Sequence, residues 1–288
     1  MLRKSLFCLF FLSCVQVSFG QDIDSIAFVN AKWKSSRIAK KTRVFTHHFN
    51  TKNLFSANQH ISYIEVSSSK RAPAFSIANE IKVLKPTSEF GKNNAALAAI
   101  NGTFFDIRNG GSVDLIKQNG KITNHNRLEN EKRSAHQQAA VVISNGRLSI
   151  KKWDGTADWE QRLPDTDIMV SGPLLSINQR EEMLDSSPFN SNRHPRTAVG
   201  TRPDGKVILL VIDGRSSNSY GASLPELSKI MRWLGCTSAI NLDGGGSSTL
   251  WVSTFPENGV VNFPCDNKLW DHAGERKVAN TLLLKTRP

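Results

Sequence analysis

Cysteine is scarce in this chain: there are four in 288 residues, and Cys8 and Cys14 lie within the first twenty. So few thiols exclude a disulfide-stapled scaffold. The other two, Cys236 and Cys265, have neither the spacing nor the neighbouring histidines of a zinc site. An oxidising compartment would let Cys236 and Cys265 close one bridge, with two free buried thiols as the alternative. Acidic residues are also in deficit, 25 against 37 Lys and Arg, for a formal net charge of +12. Beyond the first twenty residues no apolar stretch is long enough to span a bilayer. Linkers rich in Pro and Ser, internal repeats and low-complexity tracts are missing too, so residues 21–288 are expected to form one compact domain. The basic excess carries no aromatic interleaving or recognition motif of a nucleic-acid binder. Anionic glycans or sugar-phosphates are its natural partners, and oligomeric state is not readable.

At the N-terminus, Arg3 and Lys4 precede an apolar run from Leu6 to Val17, and small residues follow at Ser18 and Gly20. That order is a signal peptide over residues 1–20 with cleavage before Gln21. The expectation is export to the periplasm or extracellular space, with lipid anchoring at Cys14 as the less favoured alternative.

The second half reads most clearly. Val207–Ile212 is a continuous apolar run rich in β-branched residues, which fits a strand buried on both faces and ended by Asp213-Gly214-Arg215. Ser223-Leu224-Pro225-Glu226 then supplies a capping Ser, a first-turn Pro and a Glu three residues on; Leu224, Leu227, Ile230, Met231 and Leu234 form one helical stripe, and Gly235 stops it. Ser238–Leu242 returns as a strand ending at Asp243. This strand-helix-strand unit predicts two parallel strands that bring Asp213 and Asp243 to one carboxyl edge. His60–Val66, Ala139–Ile143, Arg147–Ile150 across an Asn145-Gly146 turn, and Val278–Leu284 add strands. The predicted class is α+β, with mixed β-sheets and few helices.

Asn241–Leu250, NLDGGGSSTL, holds the densest chemistry. Three glycines let the backbone lie against a ligand with its amides exposed. Ser247, Ser248 and Thr249 add hydroxyls, and Asp243 adds a carboxylate. A plain glycine-rich turn is the alternative. Asn101-Gly102-Thr103-Phe104-Phe105-Asp106 repeats the theme after a small-residue strand, with an Asx-type turn as its bland reading. Arg196 and Arg215 could present planar donor forks to a phosphate. Asp106, Asp213 and Asp243 together would allow a divalent cation, although no acidic loop of alternating ligands demands one.

Asn101–Asp106, Ser171–Leu174, His194–Gly200, Val211–Arg215 and Asn241–Thr249, in that order, resemble the successive motifs of the phosphodiester glycosidase family. The resemblance runs from about Ala95 to Leu284, is most specific from Arg196 to Leu250, and is loose in the N-terminal third. It implies hydrolysis between a sugar anomeric carbon and a phosphodiester oxygen; without an acidic ligand loop, no cofactor is expected to be required. Under it, Asp243 or Asp213 is nucleophile or base, and Arg196, Arg215 and the Gly244, Gly245 and Gly246 amides with Ser247 clamp the phosphate. Asn101 and Asp106 orient sugar hydroxyls, and Thr197, Asn241 and Ser248 complete the substrate-binding set. A glycan-binding envelope protein and a metal-assisted phosphodiesterase are the competing readings.

Overall fold

A computed structural model describes residues 22–287. The leader, its cleavage point and Cys14 lie outside the described residues.

An eight-stranded antiparallel sheet organises the molecule. Its four central strands, in chain order, are β1 (Ala57–Val66), β2 (Arg196–Thr201), β3 (Val207–Ile212) and β4 (Ser238–Asn241), and in space they lie β1-β3-β2-β4. Each neighbouring pair is antiparallel. Thus β3 and β4 do run parallel, as the strand-helix-strand pattern predicts, but β2 fills the place between them. The helix α1 (Leu224–Trp233) bridges that wider gap. Its capping box is complete: the Ser223 hydroxyl accepts the Glu226 amide, and the Glu226 carboxylate accepts the Ser223 amide at 2.9 Å. Gly235 ends the helix at φ +81, which a residue without Cβ adopts freely.

Two smaller sheets cover one face of the large one. The first orders Arg147–Lys152, Ala139–Ser144, Asp167–Ser171, Ile116–Gln118 and Lys121–Asn124; the second orders Leu250–Val252, Ala98–Asn101, Asn280–Lys285 and Ala74–Asn79. Alternate residues of β3, Val207, Leu209 and Val211, point into the core between the layers, packing with Ile64, Val141, Ile100 and Leu282. Ile208, Leu210 and Ile212 point the other way, onto Leu224, Leu227, Ile230 and Met231 of α1. Every residue of β3 is therefore buried, which is why it shows no polar alternation. Full burial of each of those four helix side chains stabilises the fold by roughly 1.5–3 kcal/mol before entropy is counted.

The register decides where the chemistry gathers. Arg196 pairs with Ile212, and the Leu242 amide donates to the Thr197 carbonyl, so Asp213, Arg196 and Asp243 leave the sheet along one edge. The Asp213 amide donates to the His60 carbonyl at 3.0 Å, which places His60 at the same level on β1.

The cysteines do not meet in a bridge; both are free. Cys236 lies before β4 against Gly200, whereas Cys265 lies beside Asp213 and Arg215 at the far end of the strands. The length of a strand separates them, which overturns the expected disulfide. Among the described residues no helix is long and apolar enough to cross a membrane.

Candidate active site

Asp243 lies just beyond β4 and is half-buried, surrounded by protein atoms while retaining part of its surface to solvent. Burial raises its carboxyl to about 6, and Asp114 adds to the rise against the lowering pull of the Ser247 hydroxyl, the Gly244 amide and Arg276. The Gly244 N–H donates to its Oδ1 at 2.9 Å.

The glycines that follow serve close approach rather than an amide cradle. The Gly244 amide is taken by Asp243, the Gly245 amide donates to the Pro195 carbonyl at 2.9 Å, and the Ser247 amide donates to the Gly244 carbonyl. For Gly244 and Gly245 this corrects the expectation that their N–H groups clamp an anion. A Cβ on Gly244 would stand 2.6 Å from the Pro195 carbonyl oxygen, and one on Gly245 3.1 Å from an Arg215 guanidinium nitrogen. At Gly246 it would collide with Asp266 and Arg276. The loop thus lets two arginines lie across its backbone.

Arg215 is exposed and has no carboxylate partner among the described residues, whereas Arg276 is paired with Asp266 at 2.5 Å. Arg196 is buried. Its Nε donates to the Ala222 carbonyl at 2.8 Å, and Nη2 donates to those of Phe189 and Asn192 at 2.6 and 3.0 Å. Burial and the Arg215 charge lower its guanidinium to about 10, and the same two arginines, after burial, hold the His194 imidazole below its ordinary range. Arg196 is therefore a structural arginine on three of its donors, yet its charge is compensated by carbonyl dipoles rather than an adjacent anion. Positive potential accumulates along this wall.

Beside it lies a cavity of about 220 Å³ lined by Phe104, His136, Pro173, Phe189 and Asn190. The Arg196 guanidinium stands 4.9 Å over the Phe189 ring, which joins the cavity to the arginine wall. A larger cavity, about 500 Å³ around Trp153, Arg133 and Glu160, receives none of the motif residues.

A family model for phosphodiester glycosidases matches residues 94–285, which contain all five motifs. The chain belongs to the phosphodiester glycosidase family. Its N-acetylglucosamine-1-phosphodiester alpha-N-acetylglucosaminidase homologues are hydrolases acting on glycosyl phosphodiester bonds. The mouse N-acetylglucosamine-1-phosphodiester alpha-N-acetylglucosaminidase is 27% identical over 186 residues, 60% of this chain and 34% of that protein. An uncharacterized SPbeta prophage-derived protein of Bacillus subtilis, YomE, is 43% identical over 92 residues, 32% of this chain and 13% of that protein. The chain spans about a third or less of the length of these curated relatives. In fold it resembles the catalytic domain of the zebrafish N-acetylglucosamine-1-phosphodiester alpha-N-acetylglucosaminidase auto-inhibited by its pro-peptide, with a TM-score of 0.66, 21% identity and 88% of each chain covered.

In this member of the family, several motif residues support the Asp243 loop from within the core. Asn101 is fully buried: its Nδ2 donates to the Asp243 carbonyl at 2.6 Å, and its Oδ1 accepts the Thr197 hydroxyl at 2.8 Å and the Thr249 amide at 3.0 Å. One side chain therefore ties three motifs together, and both Asn101 and Thr197 are scaffold rather than sugar ligands. Asn241 is likewise buried, donating to the Gly172 and Leu242 carbonyls. Ser248 is buried and passes its carbonyl to Asn262. Asp106 caps its own turn, accepting the Arg108 and Asn109 amides and Arg127. The Asn109 side chain leads the contacts that hold its carboxyl well below the usual range. The Asx-type turn is the structure found there.

Asp213 departs from expectation in a different way. Its Oδ2 lies 2.7 Å from His60 Nδ1, and its Oδ1 accepts the Asn262 side chain at 2.7 Å and the Phe263 amide at 3.0 Å. No free oxygen remains for a sugar. Asp106, Asp213 and Asp243 consequently do not converge on a cation, and no group of three or more His, Cys, Asp or Glu side chains among the described residues could hold one. A second imidazole-carboxylate pair joins His136 to the buried Asp114, which also accepts Thr103 and Gln137.

His60, Asp114, His136, Asn262 and Arg276 were not marked by any sequence motif. His60 alone carries a readable signal, a polar side chain on a strand whose neighbours are apolar.

Proposed function

We propose that the chain is an exported glycosidase that hydrolyses a sugar-1-phosphodiester at the anomeric bond, with an N-acetylglucosamine-1-phosphodiester as the leading substrate. One observation carries this reading: half-buried Asp243, the aspartate of the motif set not saturated by donors among the described residues, stands against a glycine loop crossed by Arg215 and Arg276. A phosphate monoester leaves as a stable anion, so the site must hold phosphate charge and meet positive charge developing on the sugar ring. Arg215 takes the first task, with Arg196 and Arg276 contributing positive potential. Asp243 serves the second, as nucleophile or as the base that activates water. A carboxyl raised to about 6 is mostly ionised at neutral pH and still basic enough to take a proton. The aromatic cavity at Phe104, His136 and Phe189 offers apolar walls to one sugar substituent. Export rests on the leader pattern of residues 1–20, and no cofactor is required by this scheme.

The test is turnover of a panel of sugar-1-phosphodiesters in oxygen-labelled water by residues 21–288, with Asp243→Asn alongside. Label in the sugar, insensitive to chelator and lost in Asp243→Asn, is expected. Label in the phosphate with chelator sensitivity would instead mark a metal-assisted phosphodiesterase, and binding without turnover a glycan-binding protein.

A further inference from the structure

We propose that His60, held by Asp213, donates the proton that the departing phosphate oxygen receives, and that Asp213 is a positioning residue rather than the second carboxylate of a glycosidase pair. The inference rests on the function proposed above. His60 belongs to β1, outside the residues 94–285 that define the family match.

The pair is built with more restraint than a chance core contact needs. Both residues are nearly sealed, at 7% and 1% exposed. Their backbones are joined by the Asp213 amide, and the Ser219 hydroxyl couples them again: it donates to the Asp213 carbonyl at 2.6 Å and accepts the His60 amide at 2.9 Å. Asn262 and the Phe263 amide fix the other carboxylate oxygen. A carboxylate 2.7 Å from Nδ1 requires the hydrogen on that nitrogen, which sets the ring orientation and leaves Nε2 as the nitrogen not engaged by Asp213. Among the described residues Nε2 has no hydrogen-bond partner. The ring stands edge-on to Phe263 and Trp270, at 86° and 89°, and those two stack at 4.2 Å. His48, 5.7 Å away, uses its own Nε2 on the Asn218 carbonyl and does not compete.

Position relative to the phosphate follows from the chain itself: Asp213 lies two residues before Arg215, whose guanidinium would stand 3.1 Å from a Cβ on Gly245. The histidine pair therefore borders the Arg215 end of the glycine loop, whereas Asp243 accepts the Gly244 amide at the start of that loop. In the step, water attacks the anomeric carbon and gives its proton to the Asp243 carboxylate. The bond from that carbon to the phosphate oxygen breaks, with its electron pair going to oxygen. His60 in its protonated form transfers the Nε2 proton to that oxygen and is left neutral. Solvent then takes the proton from Asp243 and returns one to His60.

Residues 21–288 as wild type, His60→Ala, His60→Gln and Asp213→Asn would be assayed on an alkyl phosphodiester of N-acetylglucosamine-1-phosphate, with melting temperatures measured on each. His60→Ala is expected to lose about 10²–10⁴-fold in kcat with KM changed less than about threefold. Added imidazole should restore part of the His60→Ala turnover and none of the Asp213→Asn loss. A histidine that only stabilises the fold would lower the melting temperature and give no rescue, and that result overturns the proposal. Full activity in His60→Ala overturns the histidine's role while leaving the glycosidase reading intact. Absence of wild-type turnover across the sugar-1-phosphodiester panel overturns both.

Discussion

Replacing Asp243 with Asn should make the protein more stable at neutral pH while removing its turnover. Burial raises the folded-state carboxyl to about 6 from an ordinary 3.8. The folded chain therefore binds this proton more tightly than the unfolded chain, and stability falls as pH rises between those two values. The gap of about two pH units corresponds to ~3 kcal/mol at 1.36 kcal/mol each, the cost of holding the ionised form in the folded chain. Water reaching the partly exposed carboxyl reduces that, so a gain of about 1–3 kcal/mol is expected for Asp243→Asn above pH 6. Below about pH 4 both folded and unfolded wild-type chains carry the proton and the gain should vanish. The Asn side chain retains an oxygen for the Gly244 amide. For a chain of this size the gain appears as a rise of roughly 2–12 °C in melting temperature. Calorimetry of both proteins at pH 4 and pH 8 decides the matter. An equal shift at both pH values, or a less stable Asp243→Asn at pH 8, would refute the assignment of a destabilising carboxylate. The expected pattern is a functional group retained against stability.

Arg215→Ala should leave the melting temperature within about 2 °C, since the side chain is exposed without a carboxylate partner among the described residues. KM for the phosphodiester should rise about tenfold or more with free-sugar inhibition unchanged; equal effects on both ligands in steady-state kinetics would remove Arg215 from phosphate binding. The two thiols should differ in alkylation of the native protein. Cys236, buried and pushed up to about 12, is expected to stay unmodified until unfolding, and Cys265 to react slowly. A peptide pair linked through Cys236 and Cys265 in a non-reducing digest would contradict the structure.

Much of the fold was legible because local signals agreed. The Ser223 capping box, the Leu224–Met231 stripe and Gly235 delimit a helix that runs from Leu224 to Trp233. Asn145 and Gly146 both take positive φ in the hairpin they were expected to form. What the sequence withheld was pairing at long range. Strand β2 precedes the strand-helix-strand unit by only a few residues, yet no local pattern says that it inserts between β3 and β4. The same limit governs the site. Asp243 and Arg215 lie within readable motifs, but the partner that occupies Asp213 is His60, 153 positions away. Asn101 looked like a ligand because a polar residue after a small-residue strand faces an edge; only the tertiary structure shows that its amide is consumed by Asp243, Thr197 and Thr249.

The pairing of β1 with β3 has a consequence for how this protein can be cut. Six consecutive residue pairs, from Val207 with Val66 to Ile212 with Ile61, join the N-terminal segment to the most apolar strand of the large sheet. A fragment beginning at residue 94 would keep every family motif and lose that partner. Val207–Ile212 would then become a bare edge of six uncharged apolar residues, unguarded by lysine, proline or bulge and free to recruit the same strand from another copy. Expression trimmed to the family boundaries would favour aggregates over a minimal catalytic unit, and the N-terminal strands act as the sheet's own protective cover.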